Sequence, residues 1–332
     1  MDIYAFKDTS NITSSSGGAF PAILKAVEEM EGRRPIVYGA AFDDCFDVRH
    51  IRAVSEEDFL KLRGSKYVKS SMESSICDAI SDLVSGELVV FSGTPCQIAA
   101  IRKRVEHELI DASKLYLIDI VCHGTPQQRV WKDFKHWLET KYRSKLTDFS
   151  FRYTPARWKS YPTMASFENG KCIINGFKLR RYTELFYSDL ALEKACYNCH
   201  FANTNRPSDV TIGDFWGIRK VIPHFPYKEE VSQILPNSSK GERIINFLGG
   251  NSSYIICTSR LEEAQKYQMS FFQKTKKPDN VDMFWADYQE KSFEHILKKY
   301  AGYNCAGFCK YCLKRFLGET KILLLIKSTL KK

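Results

Sequence analysis

Apolar positions in the first 145 residues fall into two alternating patterns. Over residues 19–30 they recur at helical spacing, with Phe20, Ile23, Leu24 and Val27 on one face and Pro21 tolerated in the first turn. Residues 35–42 form an apolar run that predicts a strand. Ser55, with Asp58 three residues on, signals the start of a second helix. Residues 72–84 predict a third, through Ile76, Ile80, Leu83 and Val84, with Gly86 as its stop. Then follow a short buried strand at 88–91, a helix at 97–105, an apolar strand at 115–121 and a helix at 126–142. Strands alternating with helices in this way predict an α/β layer structure.

The pattern changes near residue 145. Segments 148–153, 163–168 and 172–174 predict strands, with Asn169-Gly170 as a hairpin turn. A helix around 183–192 leads into a Cys-rich loop, 210–212 predicts a strand, and 240–248 predicts a helix closed by Gly249-Gly250. The remainder reads as helical, basic and aromatic. Three regions result: an α/β domain over 1–145, a mixed α+β region over 146–260 and a helical C-terminal extension over 261–332. No internal repeat is visible.

Charge narrows the function. Against 39 acidic residues the chain carries 49 Lys and Arg, a formal net charge of +10, which favours an acidic, phosphorylated or anionic partner. No zinc-finger, RNP or helix-turn-helix signature accompanies it, so nucleic acid is not the expected partner. Residues 1–18 lack the basic and apolar regions of a secretory signal, and the apolar run 322–326 is too short to span a bilayer. A cytoplasmic location is expected. The basic stretch 314–332 could lie on an anionic membrane surface, or could be a solvated or partner-packing tail helix.

Eleven cysteines change the picture most. The cytosol keeps thiols reduced and the number is odd, so metal or cluster ligation explains them better than disulfides. Cys96, in Gly93-Thr94-Pro95-Cys96-Gln97, sits where a strand gives way to a helix. The helix dipole and free N–H groups there suit a thiolate, as metal ligand or nucleophile. Cys122, in Cys122-His123-Gly124, also ends a buried strand, and sites in open α/β sheets gather at such ends. Cys196 and Cys199 form a C-x-x-C loop that could hold a metal or cluster, or act as a redox dithiol. Cys305, Cys309 and Cys312 have the spacing of a radical-SAM motif, but too little chain follows for the barrel such enzymes need. An accessory site or incidental cysteines remain as readings there. Cys45, Cys77, Cys172 and Cys257 are expected in the core or in loops.

Ser14-Ser15-Ser16-Gly17-Gly18, Arg63-Gly64-Ser65-Lys66-Tyr67-Val68, Gly93-Thr94-Pro95-Cys96-Gln97, Cys122-His123-Gly124, the Cys196/Cys199 pair and Ser208-Asp209-Val210-Thr211-Ile212-Gly213-Asp214-Phe215-Trp216-Gly217 occur in that order. Together, over roughly residues 4–250, they resemble the coenzyme F-420 hydrogenase/dehydrogenase beta-subunit family, to which plant 7-hydroxymethyl chlorophyll a reductase is similar. The resemblance implies that 1–145 is a flavin-binding domain and that electrons pass between a 4Fe–4S cluster and FAD. It implies Cys96, Cys122, Cys196 and Cys199 as cluster ligands. Ser15, Ser16, Gly17, Gly18, Gly64, Ser65, Lys66 and Tyr67 would hold the flavin, with Gly93, Thr94 and Asp214 lining the site. Lys66, as a cation beside a reduced flavin, and His123, as a proton shuttle or cluster tuner, are the candidate catalytic residues. Each has an ordinary alternative: a flexible turn, a solvated charge, a locally satisfied histidine.

Many relatives carry a ferredoxin module ahead of the segment that resembles Ile3-Tyr4-Ala5-Phe6-Lys7. The expected electron relay is therefore a separate ferredoxin-like protein, acting together with a small-molecule substrate, or else the activity is altered. Relatives of this kind often accompany bacterial surface-polysaccharide genes, so F-420 itself is the least transferable expectation. Two rivals stand beside this reading. One is a thiol enzyme with Cys96 as nucleophile and His123 as base. The other is a non-enzymatic, zinc-bearing assembly factor for polysaccharide synthesis.

Overall fold

A computed structural model describes residues 1–10, 14–153, 162–227 and 230–319. In chain order the elements are β1 (Asp2–Asp8), α1 (Ala19–Glu31), β2 (Ile36–Phe42), β3 (Val48–Ala53), α2 (Glu56–Leu62), α3 (Glu73–Val84), β4 (Val89–Gly93), α4 (Pro95–His107), β5 (Leu115–Ile120), α5 (Gln128–Tyr142), β6 (Leu146–Ser150), β7 (Met164–Phe167), β8 (Cys172–Ile174) and α6 (Arg180–Tyr187). There follow β9 (Val210–Asp214), α7 (Ile218–Val221), β10 (Ser232–Pro236), α8 (Ser239–Gly249), β11 (Tyr254–Arg260), α9 (Leu261–Ala264), α10 (Val281–Glu290), α11 (Phe293–Tyr300) and α12 (Cys305–Glu319). The chain divides into two compact units. The first comprises Met1–Gln128, Ser150–Tyr161 and Glu193–Lys276; the second comprises Arg129–Phe149, Pro162–Leu192 and the chain from Lys277 on.

The first unit is built on an eight-stranded sheet in the order β11-β1-β10-β9-β5-β4-β2-β3. Its centre, β9, β5, β4 and β2, is parallel. β3 and β10 run antiparallel to their central neighbours, and β1, antiparallel to β10, points the same way as the centre. Side-chain alternation along each strand feeds two layers. Val37, Val90, Tyr116 and Ile118 meet Ile23, Val27, Phe59, Ile244 and Leu248 of α1, α2 and α8 on one face. Tyr38, Phe91, Leu115 and Leu117 meet Ala79, Leu83, Ile98 and Ile101 of α3 and α4 on the other. The expected α/β architecture is thus a sheet covered by helices on both faces. One expectation is corrected: the chain after Gly250 is not all helical, because β11 pairs with β1 along its full length.

The second unit holds the three-stranded sheet β6-β7-β8 and the helices α5, α6, α10, α11 and α12. Its core is aromatic. Trp131 is fully buried, with Phe149 and Tyr182 edge-on at 4.8 and 5.4 Å. The last described elements, α10 to α12, are helices, as expected. Cys305, Cys309 and Cys312 are exposed on α12, and Cys77 and Cys172 are exposed on α3 and β8 rather than buried. Both are surface cysteines because the apolar stripe of α3 faces away from Cys77 and β8 is an edge strand. The 322–326 run, for which a membrane-surface contact and a solvated or partner-packing tail helix were the two readings, lies outside the described residues. Among those described, no helix is long and apolar enough to cross a membrane.

Candidate functional site

The carboxyl ends of β1, β9, β5, β4 and β2 share one edge of the first unit's sheet, where ligands gather in open α/β folds. The sequence-predicted residues collect there. β4 ends at Gly93 and Pro95 opens α4, so Cys96 stands in that helix's first turn. Neighbouring β5 ends at Ile120, two residues before Cys122. The C-x-x-C loop is anchored to the same edge: Glu193 N–H donates to the Thr125 carbonyl at 2.9 Å. A short 3-10 turn, Lys194–Asn198, then carries Cys196.

The four cysteines, from three separate stretches of chain, lie within electrostatic reach of one another. Burial pushes the Cys122 thiol up to about 12, and charge on Cys196, Cys96 or Cys199 would raise it further. Burial also raises Cys196, with Cys96 and Cys199 acting in the same direction. Each sulfur has a hydrogen-bonding neighbour. The Thr94 hydroxyl lies 3.2 Å from Cys96 Sγ, Gly124 N–H donates to Cys122, the backbone and hydroxyl of Thr125 serve Cys196, and Phe201 N–H lies 3.4 Å from Cys199 Sγ. Such donors stabilise thiolate over thiol. Among the described residues, however, no three His, Cys, Asp or Glu side chains converge closely enough to hold a single metal ion. Cys96 is exposed and the other three are half-buried.

The Gly64–Tyr67 segment reaches the same edge through Gln97. Its side-chain amide donates to the Ser70 carbonyl and hydroxyl, while its oxygen accepts from Thr94 N–H at 3.0 Å. Lys69 N–H donates to the Pro126 carbonyl at 3.0 Å, tying this segment to the Cys122 loop as well. Lys66 itself turns back: its ammonium donates to the carbonyls of Lys61 and Arg63, at 2.8 and 2.7 Å, and so caps the end of α2. Burial pulls Lys66 down to about 7, whereas the two carbonyl acceptors favour its charged form. Ser65 and Tyr67 are half-buried, and the Tyr67 ring lies 5.5 Å from Phe151.

Gly17 is required by packing. A Cβ there would sit 2.2 Å from the Phe6 carbonyl oxygen and 2.4 Å from Ser232 N, because the loop lies directly on β1 and β10. Its N–H donates to Ser232 Oγ at 2.8 Å, and that hydroxyl in turn meets Ser16 Oγ at 3.1 Å. Ser15 is half-buried beside them. Gly18, at φ 87°, caps α1, whose first turn has no side-chain cap and no acidic residue. The His123 carbonyl accepts from the Thr275 hydroxyl.

Three charged residues at this edge were missed by the sequence reading. Arg152 forms a bidentate pair with Asp214, at 2.6 and 3.3 Å. Asp119 of β5 and Arg206, in the loop after Cys199, form a second pair whose side chains are 0% and 1% exposed. Asp119 did have a signal, as one carboxylate inside the apolar run Leu115-Tyr116-Leu117-Ile118-Asp119-Ile120. Arg206 had none, since it lies in the polar run Asn203-Thr204-Asn205-Arg206, whereas Arg152 stands between Phe151 and Tyr153 as one charge in an aromatic stretch.

An edge of parallel strands that brings Cys96, Cys122, Cys196 and Cys199 into one neighbourhood defines a doubly wound α/β protein with a thiol-bearing site. The profile of the family defined by the C terminus of the coenzyme F-420 hydrogenase/dehydrogenase beta subunit matches residues 86–255, just over half the chain, and the protein belongs to that family. Its structure is similar to a chain of the xenon-derivatised F-420-reducing nickel–iron hydrogenase complex from Methanosarcina barkeri. The TM-score is 0.50 at 15% identity, covering 90% of this chain and 89% of that one, a likeness of fold. No curated protein matches the sequence.

Proposed function

We propose that the protein is an oxidoreductase in which Cys96, Cys122, Cys196 and Cys199 hold a 4Fe–4S cluster and the Ser15–Gly18 and Gly64–Tyr67 segments hold FAD. The carrying observation is the gathering of four thiols from three distant stretches of chain, each with a hydrogen-bonding neighbour. The donor set fits a cluster better than a lone zinc ion. A cluster spreads its four thiolates over four irons, whereas zinc needs them on one centre, and no three donors among the described residues converge on one point. When bound, the cluster would carry single electrons and the flavin two, linking a one-electron donor to hydride chemistry on a small molecule.

The protein's own groups have distinct tasks in this reading. The donors of Gly124, Thr125 and Phe201 stabilise three of the thiolates, and the Thr94 hydroxyl lies beside the fourth. The uncapped start of α1 receives an anionic part of the flavin. Asp214, held by Arg152, and Gly93 and Thr94 line the same edge. His123 is the candidate proton carrier, and Lys66, fixed on α2, is a cation beside the flavin segment. The partner is a separate ferredoxin-like donor or acceptor, and the setting is a cytoplasmic protein linked to surface-polysaccharide synthesis.

The test is a UV–visible spectrum of anaerobically purified protein, with iron, zinc and flavin measured on the same sample. Flavin bands, broad iron–sulfur absorption and about four irons per chain are expected. Protein that stays colourless after reconstitution with iron, sulfide and flavin would overturn the reading. Stoichiometric zinc would then favour the assembly factor, and inactivation by alkylation at Cys96 the thiol enzyme.

A further inference from the structure

We infer that Arg206 is a positioning residue: it latches the Cys196/Cys199 loop to the end of β5 and so sets the spacing of the four thiols. The inference rests on reading those thiols as one ligand set. Arg206 Nη2 and Nε reach the Asp119 carboxylate at 2.9 and 3.2 Å. Nη2 also donates to the Ile120 carbonyl at 3.1 Å, Nη1 to the Phe201 carbonyl at 2.8 Å, and Nε to Thr211 Oγ1 at 3.3 Å. The Phe271 ring lies 5.5 Å from the guanidinium.

The two carbonyls give the latch its meaning. Ile120 is two residues before Cys122, and Phe201 is two residues after Cys199. Phe201 is also the residue whose N–H faces Cys199 Sγ. One guanidinium therefore fixes the approach to two thiols on separate segments. Only arginine offers enough N–H groups in one plane to grip a carboxylate and two carbonyls together. A buried ion pair is a poor choice for stability alone, since apolar side chains of similar volume often serve as well. Here the pair supplies direction.

The test compares full-length wild type with Arg206→Lys, Arg206→Gln and the double variant Asp119→Leu/Arg206→Met, which fills the pocket without charge. Each is reconstituted anaerobically for iron content and cluster midpoint potential. Each apoprotein is also oxidised briefly with diamide and its disulfides are mapped by mass spectrometry. In wild type, disulfides joining Cys196 or Cys199 to Cys96 or Cys122 should compete with the Cys196–Cys199 bond. Without the latch that ratio should fall by about tenfold, as proximity is lost, while Arg206→Lys recovers part of it. Loaded variants should hold less iron at a shifted potential. Folded variants with unchanged disulfide ratio, iron and potential would overturn the latch. If wild type itself takes up no iron, the redox reading fails, and the disulfide ratio still decides whether Arg206 positions the loop.

Discussion

The Gln97 amide nitrogen lies 3.2 Å from the Ser70 carbonyl oxygen and 2.9 Å from the Ser70 hydroxyl. Gln97 follows Cys96 directly, and its own oxygen accepts from the Thr94 backbone and hydroxyl. One side chain thus joins the cysteine turn to the segment proposed for the flavin. Gln97→Leu keeps the volume and removes all four bonds. It should destabilise the protein by about 2 kcal/mol, the cost of orphaned polar groups, in urea unfolding. It should also lower both flavin and iron content. Loss of stability with full cofactor loading would mean that the link matters only for folding.

Gly17 and Gly64 separate packing from ligand binding. Gly17→Ala drives a Cβ into the backbone of β1 and β10 and should cost about 3 kcal/mol. Gly64 has φ 79° and nothing within 4 Å of a Cβ. Gly64→Ala should therefore cost only about 1 kcal/mol of left-handed strain. A marked fall in flavin affinity for Gly64→Ala, out of proportion to that small cost, would place the segment against the flavin. Unchanged affinity would leave it a structural turn.

His50 makes stability depend on pH. It is 3% exposed on β3, donates from Nε2 to the Ser92 carbonyl at 2.8 Å and leaves Nδ1 without a partner. Burial lowers its pKa from 6.5 to about 4. Above pH 6.5 neither folded nor unfolded chain carries the proton, and the neutral ring's contribution is fully present. Between 6.5 and 4 only the unfolded chain binds it, so stability falls with pH, by about 3 kcal/mol across the window. His50→Gln keeps a donor for Ser92 and cannot titrate there. Its urea midpoint should fall less steeply than that of wild type below pH 6.5; parallel curves would refute the assignment.

The parallel centre of the fold was legible in the sequence because strands buried on both faces read as apolar runs, as Ile36–Phe42 and Leu115–Ile120 do. β1, β3, β10 and β11 were not. Val48–Ala53 reads Val-Arg-His-Ile-Arg-Ala, an edge strand that alternates too briefly to stand out, and β10, Ser-Gln-Ile-Leu-Pro, lies inside the sheet but is short and starts polar. The four cysteines were legible as a candidate set, but their proximity comes from strand order, which joins residues 96, 122 and 196–199 across the sheet. Lys66 shows the converse. Its charge suggested a ligand contact, and only the structure reveals that it spends two hydrogen bonds on the end of α2.

The cysteines differ in exposure, and that difference should appear in rescue experiments. Cys96→Ser, Cys122→Ser, Cys196→Ser and Cys199→Ser should each lower iron from about four to less than about one per chain, because three thiolates leave one iron without its ligand. Cys45→Ser, Cys77→Ser and Cys172→Ser, which change exposed residues, should keep wild-type iron. Cys96 is exposed in the first turn of α4, so a small external thiol can reach the position that Cys96→Ser leaves open. Cys122 is half-buried, so an external thiol should reach its place less readily than that of Cys96. Reconstitution with mercaptoethanol should therefore restore more iron to Cys96→Ser than to Cys122→Ser. Rescue of neither would mean that Cys96 sits in a more closed site once loaded. Full iron in unrescued Cys96→Ser would remove it from the ligand set and favour its role as a nucleophile.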